Sequence, residues 1–436
     1  MLNNKILTPF QKFTKIESFS GILLVLATII ALIWANSPVS DSYFSLWNSK
    51  IGFGFAGFEL YKPLLLWIND LLMAIFFFVI GLEIKRELLV GELNTTKKMV
   101  FPLVGALGGM ALPVILFIFI NQNPETAKGW GVPMATDIAF ALAILKLLGN
   151  KVPMALKIFL TAFAIIDDMV AVLIIAIFYS GNLQITMLLL ALAFLAMLYL
   201  LSYKGFYSKF LLVFVGALVW FLFLKSGIHP TIAGVLLAFS VPLQQKINTA
   251  TFISSLNSIS EKINKSSEKK KSVLTKKQIQ EIDNLEDWTS KYQSPLQHLE
   301  HRLHDWVAYF IIPLFALANA GVVLSTDIQL DQSLIVTIII CLVAGNSIGI
   351  TSLIFLAKKM RLIEIPKDIN RRHIIGVSFI AGVGFTMSIF IASLAFENKP
   401  EYLDAAKIGI LIGSFVSGLI GYIVLSRTSK IKKHVT

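Results

Sequence analysis

Cysteine is almost absent. Cys341 stands alone among 436 residues, so no disulfide can close within the chain and the cysteine count gives no redox compartment. Charge is scarce as well. Asp, Glu, Lys and Arg make up 15% of the sequence, against about 25% in soluble globular chains, which excludes an ordinary soluble domain. Acid is the scarcer sign, 26 residues against 38 Lys and Arg, for a net charge of +12. A basic excess can mark a nucleic-acid binder, but the placement of these charges excludes that reading. Missing too is a small-x-small cleavage site after the first apolar stretch, 21–35. Only Asn36-Ser37-Pro38 follows, so a retained first helix is preferred to the competing reading, a cleaved signal peptide.

What the chain has is hydrophobic length: 56% of it is apolar. A membrane-crossing helix needs about 20 mostly apolar residues. Runs of that kind predict spans at 19–36, 64–82, 100–120, 130–148, 155–179, 183–201, 210–225, 228–243, 306–324, 333–357, 374–396 and 405–425. In lipid a segment must satisfy its own backbone hydrogen bonds, and these runs are too long for the alternating strands of a barrel. The fold class is therefore an all-α polytopic membrane protein with about twelve transmembrane helices. With a cytoplasmic N-terminus, 32 of the 38 Lys and Arg fall in the N-tail, the cytoplasmic loops or the C-tail, as the positive-inside rule requires. The other six are Lys50, Lys62, Lys128, Lys225, Lys399 and Lys407. The basic excess is a topology signal, and no nucleic-acid partner is expected.

The chain divides into membrane helices one to eight (1–243), a polar insert (244–297), helices nine to twelve (298–426) and a basic cytoplasmic tail (427–436). The insert contains Lys269-Lys270-Lys271. It reads as a solvated cytoplasmic loop, with a lipid-headgroup or regulatory contact as the alternative. Its 275–288 segment has the pattern of a short surface helix. Gly409 and Gly413, and Gly105, Gly108 and Gly109, read as helix-packing positions.

Most predicted spans lack an ionisable residue in the middle. The fifth has two, in Ala164-Ile165-Ile166-Asp167-Asp168-Met169-Val170. One ionised Asp at a helix centre costs roughly 2.5–3.5 kcal/mol on insertion scales. Such a pair persists only if it faces water, a partner or an ion. Mutual repulsion and poor hydration make proton and cation compete for the same oxygens, and oxygen ligands suit a hard cation. That competition is the minimal chemistry of an antiporter. The structural alternative, an Asp pair joining two helices, lacks a central cation on a nearby span.

Pro133-Met134-Ala135-Thr136-Asp137 predicts a broken fourth span, since proline removes a donor and threonine competes for backbone bonds. Gly382-Val383-Gly384-Phe385-Thr386 predicts a second break in the eleventh. Paired interruptions in the two halves point to a transporter's binding site, and an inverted repeat fits. Asp137 can balance two facing helix N-termini, ligate an ion, or cap a break. A third group, Glu83 and Glu87 with Glu300, His301 and His304, reads either as a cytoplasmic pH sensor or as interfacial charges that fix depth.

These residues resemble the NhaA-type sodium/proton antiporters. The similarity covers about 16–426 and rests on Leu66-Trp67-Ile68-Asn69-Asp70, 81–88, 135–141, 155–168, Lys225-Ser226-Gly227, Leu314-Phe315-Ala316 and 384–396. The resemblance implies a twelve-helix fold with inverted repeats, crossing broken helices four and eleven, and a homodimer in the bacterial inner membrane, in contact with membrane lipid. It implies sodium or lithium exchanged for protons at Asp167 and Asp168. Thr136, Asp137, Asn346, Gly384 and Thr386 would support the crossing, and Glu83, Glu87, Glu300, His301 and His304 would sense pH. His229 matches a histidine at the outer end of span eight. No cofactor and no enzymatic activity are expected. Two departures stand out. Relatives carry a lysine in a Gly-Lys-Pro context where this chain reads Gly345-Asn346-Ser347, and they are short where it has the 244–297 insert.

Enzymes fit less well. An aspartyl intramembrane protease needs an Asp beside its second Gly-x-Gly, and Phe385 follows here. A prenyltransferase needs two Asp-rich motifs, and there is one pair. A solute symporter would want a roomier polar cavity than the Ile, Ala and Met around Asp167, and a channel has no use for a buried proton-competing pair.

Overall fold

The structure is a computed structural model that describes residues 9–428 apart from 56–57, 92, 182, 246, 266–273 and 325–329. Lys269-Lys270-Lys271 and the tail from 429 onward lie outside these residues. Helices dominate, as the apolar runs demand in lipid. Eight among the described residues are long and apolar enough to cross a membrane, and ten if each of two bent pairs counts as one span. This makes the chain an all-α, multi-pass membrane protein.

The predicted spans at 228–243 and 306–324 hold shorter pieces. Gly227 ends the helix Lys209–Ser226 in a left-handed conformation, φ 84°, and the helix Thr231–Phe239 that follows has nine residues. At ~1.5 Å per residue it is ~14 Å long, about half of a ~30 Å hydrocarbon core. It survives because protein covers most of it: it packs so closely on the helix Met73–Leu89 that a Cβ on Gly234 would run into the Ala74 carbonyl. The helix Ile312–Asn319 likewise continues a π turn, Val307–Ile311, and the polar helix Pro295–Trp306.

The first helix, Pro9–Ala35, is built into the bundle. Ser20 Oγ donates to the Ala308 carbonyl at 2.6 Å, and Gly21 lies against Ala139 and Ala143. After a bend of 112° comes the helix Ser40–Asn48, then an antiparallel hairpin of Lys50–Phe55 and Phe58–Pro63, with Lys50 opposite Pro63. The hairpin has no counterpart among the predicted spans. Gly108 and Gly349 bring the helices Thr96–Ile120 and Asn346–Lys359 into backbone contact, and Gly409 and Gly413 seat the last helix against 335–342.

Two interrupted elements lie at the centre. The first is a 3₁₀ segment, Pro124–Met134, an extended stretch at 135–137, and the helix Ile138–Leu147, bent by 46°. The second is the helix Arg371–Ala381, a break at 382–384, and the helix Phe385–Ala395. Pro124–Met134 packs on Phe385–Ala395, while Ile138–Leu147 touches Arg371–Ala381, so the two pass each other antiparallel. Irregular backbone is tolerated at membrane depth only inside protein. Accordingly 89% of the Arg371–Ala395 window is buried, against 11% for the outermost helix, Ile185–Tyr203.

Candidate functional site

The two breaks are stitched together by hydrogen bonds. Asp137 N donates to the Val383 carbonyl at 2.7 Å, and Thr136 Oγ1 donates to the Ala381 carbonyl at 2.7 Å. From the other side Ser388 Oγ donates to the Val132 carbonyl at 2.7 Å. Breaking a helix exposes amides at one end and carbonyls at the other. Here each exposed group named finds a partner on the opposite element.

Asp137 holds the amide ends. Its Oδ1 caps the helix Ile138–Leu147 by accepting from Phe140 N at 3.0 Å. Its Oδ2 accepts from Thr386 N at 3.1 Å and also from the Thr386 hydroxyl. One buried carboxylate thus faces two helix N-termini, each of which favours negative charge by about 0.3–2 kcal/mol. Gly384 leaves room for this approach, since a Cβ there would lie 2.7 Å from the Ala135 carbonyl.

Asn346 holds a carbonyl end. Its Nδ2 donates to the Pro133 carbonyl at 3.0 Å, and the residue is fully buried. A π turn, Cys341–Gly345, immediately precedes it. The structure therefore brings Asn346 to the crossing as a hydrogen-bond donor to the fourth element.

Asp167 and Asp168 sit mid-way along the helix Met154–Phe178, 1% and 5% exposed. Asp167 Oδ2 accepts from Thr136 N at 2.9 Å, while its buried Oδ1 has no hydrogen-bond partner. A carboxylate at this depth needs a positive charge beside it, and a proton or a metal cation each meets that need. Asp168, one residue on and about 100° around the helix, adds a second carboxyl to the same buried region.

The surface group splits. Arg86 Nε donates to both carboxylate oxygens of Glu300, at 2.9 and 3.0 Å, and Arg86 Nη1 lies 2.6 Å from Glu87 Oε1. Glu83 acts on Arg86 through its charge. Burial pushes the Glu300 carboxyl up, with Arg86 beside it pulling back. Burial pushes His304 down to about 4, so it is neutral at pH 7. His301 is exposed and acts on His304 through its charge.

A further polar cluster escaped the sequence reading. Lys62 Nζ lies 2.7 Å from Asp70 Oδ2, His229 Nε2 lies 3.6 Å from Asp70 Oδ1, and Trp220 donates to the Asp70 carbonyl at 3.0 Å. Beside it Asn69 and Asn319 exchange amide hydrogen bonds at 3.1 and 2.9 Å. The signal was there, an Asp within the span 64–82, but its partners lie on distant parts of the chain.

Two interrupted helices that cross beside buried carboxylates form the arrangement seen in secondary transporters. The model of one family, Na+/H+ antiporter 1, matches residues 11–425. The Na(+)/H(+) antiporter NhaA of Oleidesulfovibrio alaskensis is 46% identical over 425 residues, covering 97% of this chain and 94% of the relative. Na(+)/H(+) antiporter NhaA 1 of Saccharophagus degradans is 43% identical over 436 residues, 99% and 94% of the two chains. The Na(+)/H(+) antiporter NhaA of Wolinella succinogenes is 44% identical over 437 residues, 99% and 96%. The chain belongs to the Na+/H+ antiporter 1 family.

Proposed function

We propose that the protein exchanges sodium ions for protons across the bacterial inner membrane at Asp167 and Asp168, exporting sodium and setting internal pH, and that it also carries lithium. The observation that carries this reading is the half-satisfied carboxylate of Asp167. One oxygen is fixed by Thr136 N, and the other is buried and open. A fixed oxygen orients the group, and an open one leaves a place that either a proton or a hard cation fills. Binding one expels the other, and loading on one side with release on the other completes the exchange. Thr136, Asp137, Gly384 and Thr386 hold the crossing, with Asp137 balancing the two N-terminal helix ends rather than ligating the ion. The loop charges favour cytoplasmic termini. The hairpin 50–63 offers an open strand edge for pairing with a second copy in a homodimer. The Glu83, Glu87, Glu300, His301 and His304 region serves pH regulation, with Glu300 its titrating member. The 244–297 insert lies outside the lipid.

Exchange is electrogenic in this reading, because both carboxyls carry protons before the ion arrives and sodium coordination favours both being charged. The test uses proteoliposomes of the purified protein. External sodium or lithium produces an internal pH change read by a dye, together with a current on a solid-supported membrane. Asp168→Asn and Asp167→Asn each abolish both signals. Full exchange in Asp168→Asn overturns the site, and robust sodium-dependent proton flux without current overturns electrogenicity.

A further inference from the structure

Asn346 makes only half of the hydrogen bonds its amide offers at the crossing. Nδ2 donates to the Pro133 carbonyl at 3.0 Å, and Oδ1 is buried without a hydrogen-bond partner. The orientation is forced, because a carbonyl only accepts and turning the amide over would press two oxygens together. The acceptor oxygen is therefore held away from Pro133 in a residue with no solvent exposure. A buried, unmet carbonyl oxygen is costly unless something positive comes to it. A second open acceptor serves the same short segment: Asp167 Oδ1 is equally buried and unmet, and its sister oxygen is anchored at Thr136, three residues on from Pro133. The backbone before Asn346 is unusual too. The π turn Cys341–Gly345 places Asn346 N on the Cys341 carbonyl, and such turns inside α-helices are frequent at functional sites.

We propose that Asn346 Oδ1 is a neutral oxygen ligand of the transported cation, completing with Asp167 Oδ1 the set that the carboxylates begin. Amide and carboxylate oxygens are the donors a hard monovalent cation prefers. Being neutral, the amide adds no charge to the site and helps set which ion fits, since one fixed oxygen on a rigid helix limits how far the shell contracts around a smaller ion. This rests on the reading of Asp167 and Asp168 as the ion site.

The experiment measures apparent KM for sodium and for lithium at fixed pH in proteoliposomes, with sodium binding to the detergent-purified protein measured by calorimetry. Asn346→Leu keeps the branched shape of the side chain and removes the oxygen. It raises KM and Kd for sodium at least tenfold and changes the sodium-to-lithium ratio. Asn346→Asp keeps an oxygen but gives up the donor to Pro133, and it binds sodium at least as tightly as the unaltered protein. If Asn346→Leu does not assemble, Asn346→Ser, which withdraws the oxygen while keeping a hydroxyl, shows the same raised KM and altered ratio. If Asn346 serves only as a strut for Pro133, Asn346→Asp falls together with Asn346→Leu and the ion ratio does not move, and the proposal is overturned. Asp168→Asn separates the two levels. Its inactivity beside an unchanged KM in Asn346→Leu rejects the Asn346 ligand alone, whereas full activity in Asp168→Asn removes the site on which the ligand depends.

Discussion

Asp137 and Asp167 meet the same stretch of extended chain and are treated in opposite ways. Asp137 has both oxygens engaged, by Phe140 N, Thr386 N and the Thr386 hydroxyl. Asp167 has one oxygen engaged, by Thr136 N, and one open. Both are buried to within 2%, so burial alone does not separate the carboxylate proposed to support the crossing from the one proposed to exchange ions. Satisfaction does. A carboxylate that closes two helix N-termini has both oxygens taken up by fixed donors. A carboxylate with an open oxygen asks for a cation and accepts whichever arrives. The lesson extends to the carbonyl ends of the breaks, where Ser388 and Thr136 spend their hydroxyl hydrogens and Asn346 keeps an oxygen in reserve.

The contrast breaks if the two carboxylates respond alike to the same change. Asp137→Asn keeps an oxygen for one of the helix ends and retains exchange, whereas Asp167→Asn abolishes it. Asp137→Ala leaves Thr386 N and Phe140 N without their acceptor. Losing a cap and a charge-assisted hydrogen bond costs about 2–4 kcal/mol of fold stability. If about 1.4 kcal/mol of that reaches the ion site as lost positioning, the apparent KM for sodium rises about tenfold. Sodium titrations of proton flux, with thermal melting in detergent alongside, check both numbers. Complete loss of transport in a stable, inserted Asp137→Ala protein would make Asp137 a ligand and end the distinction.

How far the sequence revealed this follows from how local each signal is. The breaks were legible because Pro133, Gly382 and Gly384 act on their own backbone. The Asp pair was legible because charge at a helix centre is expensive wherever it occurs. The reciprocal closing of helix ends was not. It depends on contacts such as Asn346 to Pro133 and Thr386 to Asp137, which lie 213 and 249 residues apart. Asp70 and His229 were each named in the family resemblance, but their pairing was not legible for the same reason, since they lie on distant parts of the chain. Of the surface group, spacing put Glu300 and His304 on one face, but only packing reveals that burial holds His304 at about 4 while moving Glu300 the other way. The hairpin 50–63 left a signal, Ile51, Phe53 and Phe55 alternating with Lys50, Gly52 and Gly54, but its strands are short and lie between much longer apolar runs. Lys407, the buried cation of the last helix, pairs with Asp404 at 3.9 Å. It sits two residues before Gly409, which packs at Ile335 and Ile338, so it does not stand in for the missing lysine at Asn346.

A smaller effect comes from the surface. Burial raises the Glu300 carboxyl and Arg86 lowers it. Arg86→Gln removes the lowering influence, so Glu300 ionises at a higher pH, and the activation profile moves in the alkaline direction. The same raised group contributes stability that is present at acid pH and declines as pH rises through its folded value. Arg86→Gln therefore melts at a lower temperature at pH 8 than at pH 5, relative to the unaltered protein. His304→Ala leaves the profile in place, because the ring is already neutral across the working range. An alkaline shift in His304→Ala with none in Arg86→Gln would assign the sensing to the histidine instead.

The least effect is expected farthest from the crossing. The insert forms two helices, Thr249–Lys265 and Lys276–Tyr292, the second capped by Thr275 and Gln278. They fold against each other: Phe252 stacks on Tyr292 at 4.2 Å and 7°, and Lys262 lies 3.7 Å from Glu281. Arg302 of the helix Pro295–Trp306 lies 3.9 Å from Glu286, between two well-exposed side chains, and such pairs contribute about 0–1 kcal/mol. None of these contacts reaches Arg86, Glu300 or either break. Deleting 257–282 removes the Lys262–Glu281 pair but keeps the Phe252–Tyr292 stack and Glu286, so the chain still returns to Pro295 from the same direction. Basal exchange and the apparent KM for sodium then stay within about twofold of the unaltered protein, under 0.5 kcal/mol. The rate is measured at several pH values in vesicles where the deleted protein is correctly inserted. An unchanged rate with a displaced pH profile would place regulation in the insert and link it, through Arg302, to Glu300. A lost rate would mean that the insert holds the bundle together, and the contrast between a committed core and an indifferent periphery would fail there.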